Sequence, residues 1–257
     1  MLNATYPHRG VFKTAARHNK SSDQKFTIDL SSNRASLIPP PLHESIATHG
    51  LDSILTFFNT LRADYVPSIL SCLGLVAGTD LAAAHQDGNL NFRLCDYNPD
   101  TADPECSNGC GAHTDYGTFS IIFQDGTAGL ELEDADAPGT WHPVPGDATV
   151  FLTGWCAVVL SGGRIRAARH RVRRTPGVRR LSAVLFVAPD LDAKLRPLEG
   201  VQAVWPFSEY IKEGNVDVRS FKEVMGQRWR YREGNEKLDD NDAEFTQDSV
   251  IEKLIWG

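Results

Sequence analysis

The stretch GAHTDYGTFSIIF, Gly111 to Phe123, decides how this chain is read. Its second half is the β-branched and aromatic run of a strand, and a glycine-bounded loop leads into it. In that loop His113 and Asp115 stand one residue apart. Strand side chains alternate between faces, so the spacing predicts that imidazole and carboxylate converge on one side of a sheet. Such a pair can be two metal ligands, an acid/base couple or a hydrogen-bonded surface pair, and the triplet alone does not choose among them.

Further segments of the same kind lie on both sides. LNFRLCDY, TFSIIFQ, GLELE, WHPV, ATVFL, CAVVL, RHRVRR and RLSAVLFVA fall between Leu90 and Ala188, separated by Gly, Pro, Asp and Asn. No interval between them is long enough for a crossover helix, which predicts a closed or double-sheet β architecture and not βαβ units. Upstream of Gly88 the chain reads as helical. Ile54, Leu55, Phe58 and Leu61 recur at helical spacing, Pro67 kinks that helix or opens a second one, and TDLAAAHQ predicts a short helix capped by Thr79. Residues 1–41 read as irregular and end in three prolines, Pro39 to Pro41. Beyond the strands, Phe207 to Tyr231 regains helical spacing, Arg232 to Gln247 reads as an acidic connector, and VIEKLIWG is apolar enough to dock back on the body.

The 257 residues suffice for a sizeable core, and 41% apolar with 23% charged residues is the composition of a soluble globular protein. No run approaches the roughly 20 apolar residues of a membrane span, and the N-terminus carries no apolar signal core. Five cysteines make no disulfide framework, so a cytoplasmic, reducing location is expected. Cys106 and Cys110 bracket SNG, but no second Cys/His pair joins them at finger-like spacing, which disfavours structural zinc. The net charge of −7 argues against a nucleic-acid partner, although eight arginines crowd between Arg164 and Arg180. Strand parity turns Arg171 and Arg173 away from His170, toward solvent or the many acids. His85, Trp141 and His142 have no companions that would make them ligands, and turn or core roles suffice.

His170 adds a second histidine on another expected strand. Two histidines and a carboxylate from neighbouring strands can cap one face of an octahedron and leave three positions open, an arrangement that suits non-haem Fe(II). Arg180 and Ser182 then share a face by alternation, and a guanidinium fork with a hydroxyl beside it makes a carboxylate receptor. Pointing into a barrel, Arg180 would be a costly unpaired charge unless an anion met it.

The motifs HTD, RHRV and RLSAV, in this order, resemble the active-site pattern of the Fe(II)/2-oxoglutarate-dependent dioxygenases, specifically their isopenicillin N synthase-like branch. The resemblance runs from about Leu90 to Pro189. It implies a mainly β chain with flanking helices, a double-stranded β-helix or jelly roll, forming one dioxygenase domain over 1–257. Residues 1–88 would be the mostly helical N-terminal part, 89–190 the jelly-roll core with the metal and cosubstrate site, and 191–257 the C-terminal helices and tail. It implies Fe(II) held by His113, Asp115 and His170, 2-oxoglutarate with its distal carboxylate on Arg180 and Ser182, and O2 as oxidant. Succinate and CO2 would leave, and a small organic metabolite would be hydroxylated, desaturated or cyclised. Tyr97 occupies the place of a tyrosine that contacts the cosubstrate in this family. Cys95 stands where relatives carry asparagine, and Arg93 could replace that contact or bind an acidic substrate group. DQKFTIDLS resembles the late portion of a longer N-terminal region, so the pocket would be more open, or closed by the C-terminal segment or a partner chain. The expected partners are a small-molecule substrate, no nucleic acid and no membrane, with homo-oligomerisation left open. The alternatives are a noncatalytic 2-oxoglutarate-binding relative and an oxidase that draws all its electrons from its substrate.

Overall fold

A computed structural model describes residues 11–13, 23–30, 48–232 and 247–257. Two antiparallel sheets carry the site. The larger contains β1 (Val11–Lys13), β2 (Phe26–Leu30), β3 (Leu90–Tyr97), β5 (Phe119–Gln124), β8 (Val150–Thr153) and β10 (Arg180–Val187), in the order β1-β2-β3-β10-β5-β8. The smaller contains β4 (Asn108–His113), β6 (Leu130–Glu133), β7 (Trp141–Pro143) and β9 (His170–Arg173), in the order β4-β9-β6-β7. Their facing sides share one cluster of buried residues, including Tyr97, Ile122 and Val184 from the large sheet and Cys110, Leu130 and Val172 from the small one. This is the expected double-stranded β-helix, with the centre of the large sheet made by β3 and β10, paired from Arg180↔Tyr97 to Val187↔Leu90.

The outer face of the large sheet is covered by helices. α1 (Leu51–Thr60) runs through a π-helical stretch, Leu61–Tyr65, directly into α2 (Val66–Ala77). Pro67 sits in the first turn of α2, the second helix expected to open there, directly after the π-helical stretch. Phe58, Leu61 and Leu70 from these helices pack on Phe92, Phe119 and Leu185, and the rings of Phe58 and Phe92 stack with centroids 5.4 Å apart. The next turn, Leu81–Ala84, is a 3-10 helix capped by Asp80 and not by Thr79, because the Asp80 carboxylate accepts the Ala82 N–H at 2.9 Å.

Two further expectations are corrected. CAVVL is not a strand but most of α3 (Trp155–Leu160), every residue of which is buried. A segment with apolar side chains on all sides has no visible period, and its tertiary contacts decide the backbone. Conversely, the segment of β4 reads as loop in the sequence because Gly109 and Gly111 depress strand propensity; in the structure it pairs with β9 through two register shifts. Within 1–41, β1 and β2 are strands, while Pro39 to Pro41 lie outside the described residues, as do 233–246 of the expected connector. The C-terminal stretch forms α6 (Gln247–Trp256), which packs with α4 (Glu209–Lys212), α5 (Val218–Arg232) and α3 in a second cluster containing Val159, Phe221, Ile251 and Ile255. Among the described residues no helix is long and apolar enough to cross a membrane.

Candidate metal centre

His113 is the last residue of β4 and His170 the first of β9, and the two are direct partners across the ladder. Their ring centroids lie 4.3 Å apart. Asp115 does not follow on the same strand. It sits in the turn between β4 and β5, so the convergence expected from alternation arises from that turn. Among the described residues these three form the one group of His, Cys, Asp or Glu side chains able to hold a metal, with a ligand atom from each within 4.8 Å of the others. Cys106 and Cys110 form no such group.

What fixes the turn is the start of α3. The N–H groups of Trp155 and Cys156 have no partner within their own helix, and they donate to the carbonyls of Asp115 at 2.9 Å and Tyr116 at 3.0 Å. The approach is close enough that a Cβ on Gly154 would lie 2.5 Å from the Asp115 and Gly117 oxygens. Ser120 completes the anchorage by donating its hydroxyl to Asp115 Oδ2 at 2.5 Å.

Asp115 Oδ1 is buried and accepts no hydrogen bond, although His113 Nε2 lies 3.5 Å away. A buried carboxylate oxygen without a partner is costly, and a cation between the three side chains would satisfy it. The imidazoles are oriented to match. His113 Nδ1 lies 2.9 Å from the Gly111 carbonyl and His170 Nδ1 lies 3.1 Å from the Ala168 carbonyl. A carbonyl only accepts, so each Nδ1 carries the hydrogen and each Nε2 presents a lone pair. Burial opposes ionisation of Asp115, but His170, His113 and the Ser120 hydroxyl outweigh it and hold the carboxyl well below its ordinary value. The residues fit a divalent metal with two neutral nitrogens and one anionic oxygen.

The same cavity has a second pole. Arg180, only 4% exposed, lines it with Ser182, Tyr97, Cys95 and Arg93. Its guanidinium meets neutral groups: Gln124 Oε1 at 2.9 Å, the Thr127 carbonyl at 3.3 Å, Ser182 Oγ at 3.4 Å and the Tyr97 ring, 5.1 Å below its carbon. No carboxylate among the described residues forms an ion pair with it. Burial raises the Tyr97 phenol well above its usual range, which keeps it neutral. Arg93 does face the cavity, but its Nε and Nη2 already lie on Asp29 at 2.6 and 2.9 Å.

Several residues that line the cavity or hold its lining escape a reading of the sequence. Gln124 is the cross-strand partner of Ser182 and shares the parity of Ser120 and Ile122, a signal that the alternation of β5 contains. Asp23, Lys25 and Cys110 also line the cavity; the first two precede β2 with the parity of Thr27, where one charged residue in two would read as a solvated edge. The arginine run does not form one basic face. Arg169, Arg171 and Arg179 pair with Glu133, Glu131 and Asp96, Arg171 also lies over the Trp141 ring, and buried Arg174 donates to the Asp103 and Cys106 carbonyls. His85 bridges the Leu81 carbonyl and Thr118, and exposed His142 meets Asp134, both away from the triad.

Known proteins carry the same architecture. The 2-oxoglutarate-dependent dioxygenase tropC of Talaromyces stipitatus is 37% identical over 155 residues, 56% of this chain and 46% of that protein. Scopoletin 8-hydroxylase of Arabidopsis thaliana is 30% identical over 151 residues, 57% of this chain and 42% of its own length. The chain thus spans about half the length of these curated relatives. In fold, it matches a 2OG-Fe(II) oxygenase family protein from Caulobacter crescentus with a TM-score of 0.62 at 20% identity, over 87% of this chain and 75% of that one. The dioxygenase for auxin oxidation 1 of Arabidopsis thaliana, in its complex with 2-oxoglutarate, matches with a TM-score of 0.57 at 18% identity, over 79% and 82%. The pattern of the 2OG-Fe(II) oxygenase superfamily matches residues 88–189 of this chain, from just before β3 to just after β10.

Proposed function

We propose that the protein is a non-haem Fe(II)- and 2-oxoglutarate-dependent oxygenase of a small organic metabolite, with hydroxylation as its main outcome. The observation that carries this is the pairing of two incomplete poles in one cavity: a buried carboxylate oxygen between two imidazoles with no hydrogen bond, and a buried guanidinium that no carboxylate among the described residues pairs with. A metal completes the first and an organic dianion the second. The relatives, one named as a 2-oxoglutarate-dependent dioxygenase and one as a scopoletin 8-hydroxylase, support the reading and are consistent with the isopenicillin N synthase-like branch.

In this proposal His113 Nε2, Asp115 Oδ1 and His170 Nε2 hold the iron. Arg180 binds the distal carboxylate of 2-oxoglutarate, and Ser182 turns its hydroxyl from the guanidinium to the same carboxylate. Gln124 and the Thr127 carbonyl keep the guanidinium aimed while the site is filling, and Tyr97 supplies the face on which it rests. Arg93, balanced by Asp29, forms wall between the poles. When bound, iron and 2-oxoglutarate supply O2 activation with release of succinate and CO2. The chain's contribution is to orient both and to keep water from the cavity. The five cysteines carry no disulfide, which fits a cytoplasmic location.

The deciding experiment measures succinate release against added Fe(II), 2-oxoglutarate and a panel of phenolic and organic-acid metabolites. Succinate formation stimulated by a panel member and dependent on both additions is expected. Product formation without 2-oxoglutarate consumption would assign a substrate-driven oxidase, and tight 2-oxoglutarate binding with no turnover would assign a ligand-binding protein.

A further inference from the structure

Beside the triad lies a buried cluster that the proposed reaction does not use. Lys25, 6% exposed, reaches into the cavity from the segment ahead of β2, and its Nζ lies 2.9 Å from Cys110 Sγ on β4. Asp23 holds both partners: Oδ2 accepts from Lys25 Nζ at 3.1 Å and from Cys110 Sγ at 3.4 Å, while Oδ1 accepts the Gly111 N–H at 2.8 Å.

The nitrogen to sulfur distance is the informative one. A separation of about 2.9 Å is ordinary for N–H···O, where the acceptor is small. Sulfur is larger and a weaker acceptor, so a simple hydrogen bond should leave the two atoms further apart. One oxygen atom bonded to both would leave them at nearly the observed separation. Thiols that are held in place and within reach of oxidant climb the oxidation ladder, and its first rung puts one oxygen atom on the sulfur, here beside the Lys25 nitrogen.

We propose that Lys25 and Cys110 form a reversible N–O–S crosslink, a redox modification of the cavity wall with O2 as oxidant. Counted as amine and thiol, one N–H bond and the S–H bond break while an N–O and an O–S bond form. One oxygen atom of O2 becomes the bridge and the other leaves as water with the two hydrogens. Nitrogen and sulfur each give up two electrons, which reduce the two oxygen atoms. A thiol reductant reverses the modification: four reductant thiols become two disulfides, the O–S and N–O bonds are both cleaved, the bridging oxygen leaves as water, and the amine and thiol are restored. The bridge ties the segment ahead of β2 to β4 three residues before His113 and removes the Lys25 charge from the cavity, so the protein carries its own record of oxidising conditions.

The test is intact-mass spectrometry of the full chain purified in air, before and after treatment with a thiol reductant under denaturing conditions. A species heavier by one oxygen and lighter by two hydrogens, removed by the reductant, is expected in the wild type and in Cys95→Ala, and absent from Lys25→Arg and Cys110→Ser. A mass unchanged by reductant, or the same species surviving in Cys110→Ser, overturns the proposal. A measurement on the wild type alone guards against a misfolded variant: after denaturation, Lys25 should resist acetylation in the air-purified chain and become reactive after reduction, and equal acetylation in both states also overturns it. Neither readout requires turnover, so this proposal stands or falls separately from the oxygenase reading.

Discussion

The two ends of the cavity are built in opposite ways. At the metal end the short orienting contacts come from backbone or a small hydroxyl: the carbonyls of Gly111 and Ala168 face the imidazoles, α3 holds the Asp115 turn, and Ser120 fixes its carboxylate. At the anion end the key group extends from a long, regular strand and rests on side chains, Gln124, Ser182 and Tyr97. In the proposed reading the first end serves an ion with fixed directional demands, and the second is a socket for a flexible dianion. Errors at the first should abolish function, whereas errors at the second should be graded and rescued by more cosubstrate.

The sharpest way to break this contrast is Asp115→Ala. It should eliminate measurable Fe(II) binding by calorimetry and reduce succinate formation to background; retained iron affinity would show that the imidazoles alone suffice. Arg180→Ala comes next. Loss of charged hydrogen bonds worth about 1.5–3 kcal/mol should raise the KM for 2-oxoglutarate by roughly 10- to 100-fold and leave Fe(II) affinity nearly unchanged. If Fe(II) affinity drops as the KM for 2-oxoglutarate rises, the two ends are not separate. Ser120→Ala tests the metal end more gently, and deletion of such a supporting hydrogen bond should weaken iron binding by roughly 10-fold or somewhat more. The smallest effect is expected outside the cavity, where Glu131→Gln breaks a partly exposed pair with Arg171 and should change stability by about 1 kcal/mol or less, read by urea denaturation, with the cosubstrate KM unmoved.

Where the physics of the chain is local, its sequence is readable. Strand parity in β10 and β3 puts Arg180 and Ser182 on one face and Tyr97 with Cys95 on another strand's inner side, whereas β5, buried on both faces over its first four residues, shows no such alternation. The triad is legible as residues but not as geometry, because Asp115 reaches its place through a turn held by α3, far downstream in the chain, and no short window contains both. β4 is hidden by its glycines, and α3 by the uniform burial of WCAVVL. The Asp23, Lys25 and Cys110 cluster is out of reach for a similar reason, since β2 and β4 belong to different sheets and only closure of the sandwich brings them together.

The grip of α3 on the Asp115 turn has a consequence for distant parts of the chain. Trp155 and Cys156, whose amides hold that turn, have their side chains in the cluster that contains Phe207, Phe221 and Ile251. The carboxylate beside the imidazoles is therefore seated on the C-terminal helical layer as a lintel is on its jamb. Loosening that layer, for instance with Ile251→Ala, should emerge first as a drift in iron affinity while the strands themselves stay folded, a symptom that arises far from its origin.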